Sequence, residues 1–213
     1  MNISLYELGL PIAVIDDLYD EKELSDIWKE LTFYNKDFFL EEKYSGSAKT
    51  LDGKTLLKKN KTVAVDEVFH VKEYSYILNT NRKIFKEVAD ELATMHPFFS
   101  YLKRTSYDGT MISYYEDSDY YKPHTDMGVI TIVTWFHKEP KGFSGGDMIL
   151  GGEIEVECKN NRSIIFPSSL NHEVTPIKML TDLEDYGRFA MVQFTAVIFW
   201  DDNNPMGMGA KQQ

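Results

Sequence analysis

From Pro97 onward the chain becomes a succession of short apolar runs, each closed by a turn signal, and this pattern restricts its fold more than any other feature. The runs cover residues 105–114, 129–136, 147–150, 153–158, 163–166, 173–177 and 188–200. Gly145-Gly146, Gly151-Gly152 and Lys159-Asn160-Asn161 separate several of them, and such pairs supply the left-handed conformations that tight turns need. Within residues 153–158, Ile154, Val156 and Cys158 alternate with three glutamates, so one face is apolar and the other polar. Runs this short and this numerous cannot form a helical bundle. They predict a β-barrel or a double-sheet jelly roll.

The first 96 residues read differently. Residues 11–15 form a short apolar strand. Asp20 and Glu23 then have the spacing of a capping box, and Leu24, Ile27, Trp28 and Leu31 make one apolar helical face. A second helix is predicted over residues 74–95, with Ile77, Ile84, Phe85, Val88 and Leu92 on its buried stripe and His96-Pro97 at its end. Between the two helices, residues 38–60 have no period and carry Gly46, Ser47, Gly53 and many charges, which predicts an irregular, mobile loop. The expectation is one α+β domain over 1–213. Residues 1–96 give mainly helical support and the loop, 97–200 form the β core, and the Gly- and Met-rich stretch 203–213 frays.

Charge and cysteine content exclude several functions. With 34 acidic against 23 basic residues the net charge is −11, which disfavours phosphate backbones as partners. One cysteine rules out a disulfide framework and a cysteine-based zinc site. No apolar run reaches the roughly 20 residues that span a bilayer, and no signal-peptide layout opens the chain. A soluble, cytoplasmic protein without nucleic-acid or membrane partners is expected.

The chemistry concentrates in His124-Thr-Asp126. On an extended chain, residues two apart share a face, so an imidazole and a carboxylate there can share a metal ion. A third ligand must come from His70, His96, His137 or His172, and His172 opens an apolar strand in the β-rich half. Two histidines and one carboxylate on one face of an octahedron leave three positions open, the arrangement of non-haem Fe(II) oxygenases. Taken singly, a His-x-Asp triplet is commonplace and a histidine at a strand start is usually just hydrogen-bonded. The joint pattern is stronger because it also includes Arg188, at the head of an almost charge-free apolar run. A buried arginine needs an anion, and a dicarboxylate cosubstrate fits that need.

Residues 107–200 resemble the Fe(II)/2-oxoglutarate-dependent dioxygenases, particularly the prolyl 4-hydroxylase branch. The resemblance rests on Tyr115-Glu-Asp-Ser-Asp-Tyr-Tyr121-Lys-Pro-His124-Thr-Asp126, Gly145-Gly146-Asp-Met-Ile-Leu, Arg162-Ser-Ile-Ile-Phe166 and His172-Glu-Val174-Thr-Pro176. Residues 11–31 are similar to that family's opening strand and helix, and residues 38–60 are the least matched. The resemblance implies a double-stranded β-helix (jelly roll) with flanking N-terminal helices, and oxidative hydroxylation of a C–H bond. It assigns iron to His124, Asp126 and His172, the distal carboxylate of 2-oxoglutarate to Arg188, and a hydrogen bond to the cosubstrate to Tyr115. Fe(II), 2-oxoglutarate and O2 are the implied cofactors, with ascorbate as an optional addition.

A prolyl residue in a peptide or protein is the implied target, with residues 38–60 as a lid over it. A free amino acid or other small molecule is the alternative within the class. The rival from another class is a catalytically inactive β-barrel binding module. Arg188 follows His172 by 16 residues, where the family usually places its basic residue about ten after. An enlarged loop over 179–186 accounts for the difference, with Lys178 as the rival anchor before it. Tyr114 competes with Tyr115, since a one-residue slip swaps faces. Thr131 and Thr134 are weaker cosubstrate contacts. Trp135 and Phe136 suit core or pocket equally, and Cys158 reads as a core thiol.

Overall fold

The computed structural model describes residues 1–6, 10–34, 38–44, 49–50 and 53–197. The first half of the chain runs β1 (Asn2–Leu5), β2 (Ala13–Asp16), α1 (Glu21–Phe33), β3 (Leu40–Glu41), β4 (Lys58–Lys59), β5 (Lys61–Ala64), α2 (Val65–Val68), α3 (Tyr76–Thr80) and α4 (Ala89–Met95). The second half is β6 (Tyr107–Tyr115), β7 (Tyr120–His124), β8 (Ile130–Phe136), β9 (Phe143–Ser144), β10 (Met148–Leu150), β11 (Ile154–Val156), β12 (Ser163–Pro167), β13 (His172–Val174), β14 (Lys178–Met179) and β15 (Arg188–Ala196). Eight strands make the major sheet in the order β1-β2-β12-β8-β15-β6-β5-β3, and five make the minor sheet, β11-β10-β13-β7-β4. Every pairing is antiparallel. These two sheets form the jelly roll expected from the short-strand pattern.

Period-two alternation gives the major sheet two apolar faces, and each face has its own core. On β15, Phe189 and Met191 pack with the helices, while Ala190 packs between the sheets. The same holds on β8, where Ile130, Ile132 and Phe136 join the helical core and Val133 and Trp135 the inter-sheet core. The helical layer is fixed at its start by the capping box. Glu23 N–H donates to Asp20 Oδ1 at 2.8 Å and Asp20 N–H donates to Glu23 Oε2 at 2.8 Å. Trp28 on this helix meets Phe189 edge-on at 5.7 Å, so α1 backs the strand that begins with Arg188.

Two expectations need correction. The helix predicted over 74–95 is broken into α3, a π-helical turn (Ile84–Val88) and α4. The break falls at Asn81, fully buried, whose side-chain amide donates to Thr110 Oγ1 on β6 at 2.9 Å. Residues 38–60, expected to be irregular, include two strands among the described positions. Leu40–Glu41 extends the major sheet beside β5, and Lys58–Lys59 extends the minor sheet beside β7. Backbone pairing to a partner strand overrides the weak local pattern of both segments. Among the described residues, 1–96 therefore supply five strands besides their helices. The expected fraying of 203–213 lies outside the described residues. Among the described residues, no helix is long and apolar enough to cross a membrane.

Candidate metal and cosubstrate site

β7 ends at His124 and β13 begins at His172, and the two are direct register partners across the minor sheet. Asp126 sits two residues beyond His124, where its backbone N–H donates to Ser168 O at 2.9 Å. His124 Nε2 is 3.7 Å from Asp126 Oδ1, and His172 Nε2 is 3.3 Å from Asp126 Oδ2. All three ligand atoms lie within 4.8 Å of one another, and they are the one such cluster among the described residues. Three atoms on one octahedral face around a metal ion lie about 3 Å apart, so modest contraction closes the site.

The surroundings prepare each group for that role. His124 Nδ1 faces Lys122 O at 2.8 Å and His172 Nδ1 faces Leu170 O at 2.9 Å. Each ring thus keeps its proton on Nδ1 and turns a free Nε2 lone pair toward Asp126. Burial and the neighbouring His172 push His124 down to about 4, so the imidazole is neutral near pH 7 and able to coordinate. Tyr121 stacks on the His124 ring at 3.5 Å, and Phe166 meets His172 edge-on at 4.8 Å, which fixes both ring planes. Burial raises the Asp126 carboxyl, but its interactions with His172, Thr131 and His124 outweigh it and hold the group below its usual range, ionised. Thr131, expected as a weak cosubstrate contact, instead donates to Asp126 Oδ2 at 2.8 Å and pairs with Ser168 Oγ at 2.9 Å. Thr134 bonds Ser163 at 2.6 Å and takes no part.

Arg188 and Tyr115 are register partners at the ends of β15 and β6, and both line the cavity that holds the three ligand residues. The cavity has a volume of about 540 Å³. Arg188 is 1% exposed, with its guanidinium carbon 4.7 Å from the Tyr115 ring and 5.6 Å from the Trp135 ring. Among the described residues, none of its three nitrogens has a hydrogen-bond partner. Such a cation is costly to bury without an anion, and the aromatic faces offset only part of the cost. Room for it comes from Gly146 at φ +76°, because a Cβ there would lie 2.8 Å from Arg188 Cδ. The donor set therefore fits both an Fe(II) ion and the far carboxylate of a dicarboxylate.

The alternatives resolve by position. Lys178 is exposed on β14, on the far side of the loop that precedes β15. Tyr114 points to the helical core and its hydroxyl accepts from Gly187 N–H at 3.3 Å, whereas Tyr115 faces the cavity. Burial pushes the Tyr115 hydroxyl up, so it stays protonated and able to donate. His70 is exposed, His96 Nδ1 accepts from Phe98 N–H at 3.1 Å, and His137 packs edge-on against Phe143 at 5.6 Å. Cys158 is buried in the inter-sheet core. Lys58 is a cavity residue that sequence reasoning missed. It lies in a lysine-rich stretch that reads as a solvated surface, and only its pairing with Tyr121 turns it inward.

A family model matches the segment that bears the triad, Tyr115 and Arg188. Residues 110–196 match the model of the 2OG-Fe(II) oxygenase superfamily. The match supports an enzyme dependent on Fe(II), 2-oxoglutarate and O2. Among solved structures, a prolyl-4-hydroxylase of Pseudomonas putida is similar at 10% identity, with a TM-score of 0.54 over 88% of this chain and 93% of that one. A collagen prolyl hydroxylase of Paramecium Bursaria Chlorella virus-1 is similar at 15% identity, with a TM-score of 0.55 over 89% of this chain and 98% of that one. At these identities the likeness carries the fold. A search of curated proteins finds no match.

Proposed function

We propose that this protein is a non-haem Fe(II)/2-oxoglutarate dioxygenase that hydroxylates a prolyl residue in a peptide or protein. One observation carries the oxygenase reading: a buried, unpaired guanidinium shares a cavity with a His-Asp-His triad. A structural metal site needs no such cation, and a passive anion-binding barrel needs no such triad.

His124, Asp126 and His172 would hold Fe(II), which with 2-oxoglutarate bound supplies activation of O2 for attack on an unactivated C–H bond. Arg188 takes the distal carboxylate of the cosubstrate in a two-pronged charge-assisted fork. Tyr115, protonated and stacked under that guanidinium, donates its hydroxyl hydrogen to the same ligand. Thr131 fixes the carboxylate plane of Asp126, and the two carbonyl-bound imidazoles enter coordination without reorienting. Apolar side chains of Val133, Met148, Val174 and Phe194 line the same space and lower its polarity.

The prolyl target is supported by the resemblance of Tyr121-Lys-Pro-His124-Thr-Asp126 and His172-Glu-Val174 to the prolyl hydroxylase pattern, and by the shared fold of the two solved relatives. Incubation with Fe(II), 2-oxoglutarate and air, with proline-containing peptides, tests both levels. Succinate formation that requires Fe(II), with a gain of one oxygen on a prolyl residue, is the expected result. Succinate without peptide oxidation removes the prolyl target, and the absence of succinate under every condition removes the oxygenase reading.

A further inference from the structure

The inner face of the minor sheet carries a second cation that the reading above leaves unused. Lys58, Lys59 and Lys61 come from one short stretch, and two of them have acidic partners at the surface. Lys59 Nζ is 3.1 Å from Asp119 Oδ1, and Lys61 Nζ is 2.9 Å from Glu116 Oε2. Lys58 points the other way, is 5% exposed and lines the cavity beside Tyr121 and His124. Among the described residues it has no ion pair. Its ammonium lies 5.6 Å from the centre of the Tyr121 ring, and Glu42 attracts it only through space. A cation–π contact of this length recovers a fraction of what burial of an ammonium costs.

The charges inside the loaded cavity do not cancel without a further anion. Both histidines count as neutral ligands, so the positive groups are a divalent ion, Arg188 and Lys58. Against them stand Asp126 and a dicarboxylate, which leaves one positive charge over. Arg188 heads β15 in the major sheet, whereas Lys58 sits on β4 at the edge of the minor sheet, so the two cations occupy different walls. A cosubstrate carboxylate held by Arg188 leaves Lys58 for another molecule.

We propose that Lys58 binds a carboxylate of the molecule to be hydroxylated, so that the substrate presents an anionic carboxylate close to the reacting carbon. This deepens the oxygenase reading and rests on it. The carboxylate has two sources: the α-carboxylate of a free amino or imino acid, or an acidic side chain beside a target prolyl residue. Both share the chemistry that a buried ammonium recognises.

The test is a binding titration of the protein loaded with Mn(II) and 2-oxoglutarate, which needs no turnover. The probes are free amino acids, including L-proline, against their carboxamides, and prolyl peptides flanked by Asp or Glu against the same peptides with Asn or Gln. At least one carboxylate probe is expected to bind saturably where its amide counterpart does not, and the series to which it belongs identifies the source. Lys58→Met should weaken that probe roughly ten- to a hundred-fold, and Lys58→Arg should restore part of the loss. Retained 2-oxoglutarate affinity in Lys58→Met reports an intact cavity. The proposal is overturned if no carboxylate probe binds, if amides bind equally well, or if Lys58→Met leaves probe affinity unchanged. It is also overturned if the variant's loss falls on 2-oxoglutarate, because Lys58 then belongs to the cosubstrate. Absence of Fe(II)-dependent succinate formation by the wild-type protein removes the underlying oxygenase reading instead, and that assay uses none of these probes.

Discussion

Replacing Arg188 with Met separates a ligand-binding role from a structural one, because the two predict opposite changes in stability. The guanidinium is 1% exposed, makes no hydrogen bond among the described residues and rests between the rings of Tyr115 and Trp135. In the ligand-free protein its burial is a net cost, so an apolar side chain of similar length should leave stability unchanged or raise it. Binding moves the other way. A charge-assisted pair in a dry site contributes about 1.5–3 kcal/mol, so the variant should lose roughly ten- to a hundred-fold in 2-oxoglutarate affinity while keeping its metal. Arg188→Lys should recover only part, since a point charge cannot reproduce the fork. Lys178→Ala, on the exposed β14, should bind as wild type. Thermal unfolding of the ligand-free variants gives the first quantity. Anaerobic titration of 2-oxoglutarate into the Fe(II)-loaded proteins, read by the charge-transfer absorption of the chelate, gives the second. An Arg188→Met protein that binds within about threefold of wild type, or a large loss in Lys178→Ala, would falsify the assignment.

His124→Ala, Asp126→Ala and His172→Ala should each abolish tight Fe(II) binding in a metal titration while circular dichroism stays native, since each deletes a ligand from an otherwise intact sheet. Gly146→Ala should destabilise the fold by about 1–3 kcal/mol in urea unfolding and also weaken 2-oxoglutarate binding. The new methyl would sit at φ +76°, 2.7 Å from Ile177 Cδ1 and 2.8 Å from Arg188 Cδ. Burial lowers Lys58 from 10.5 to about 8, so the native state releases this proton before the unfolded chain does. Wild-type stability should therefore gain from this group as pH rises from about 8 to 10.5. Lys58→Met should be more stable than wild type at pH 7 by up to about 3 kcal/mol, an advantage that fades across that window. A constant difference between the two unfolding curves at pH 7 and pH 10.5 would contradict the burial of a charged ammonium.

Local chemistry made much of this architecture readable. The capping residues Asp20 and Glu23 mark the start of α1 because their side chains satisfy each other's backbone donors without help from the rest of the fold. Gly145-Gly146 and Gly151-Gly152 mark turns because all four adopt positive φ. The triad was legible because two of its members lie on one extended segment, and because His172 opens a strand of its own. Features that depend on a distant partner were not. β7 includes Pro123 and lacks a clean alternation, so its strand character comes from pairing with β13 and β4. Asn81 breaks a helix that its own sequence would continue, through a hydrogen bond to a strand much later in the chain. Thr131 and Lys58 acquire their roles from the register of sheets, which no local pattern records.

The register between His124 and His172 has a consequence for how the protein reaches its working state. The two imidazoles come from strands far apart in the chain, joined by one antiparallel pairing with a bulge beside it. In an unfolded chain, His124 and Asp126 alone make a weak chelate, and the third donor arrives only when the sheet zips at this seam. Contacts of such long sequence separation form late, after the entropic cost of closing a large loop. A metal ion that prefers the three-donor state then acts as a clasp, adding its binding free energy to this one seam. Metal occupancy should thus protect the amides of β7 and β13 from hydrogen exchange more than those of the strands distant from them.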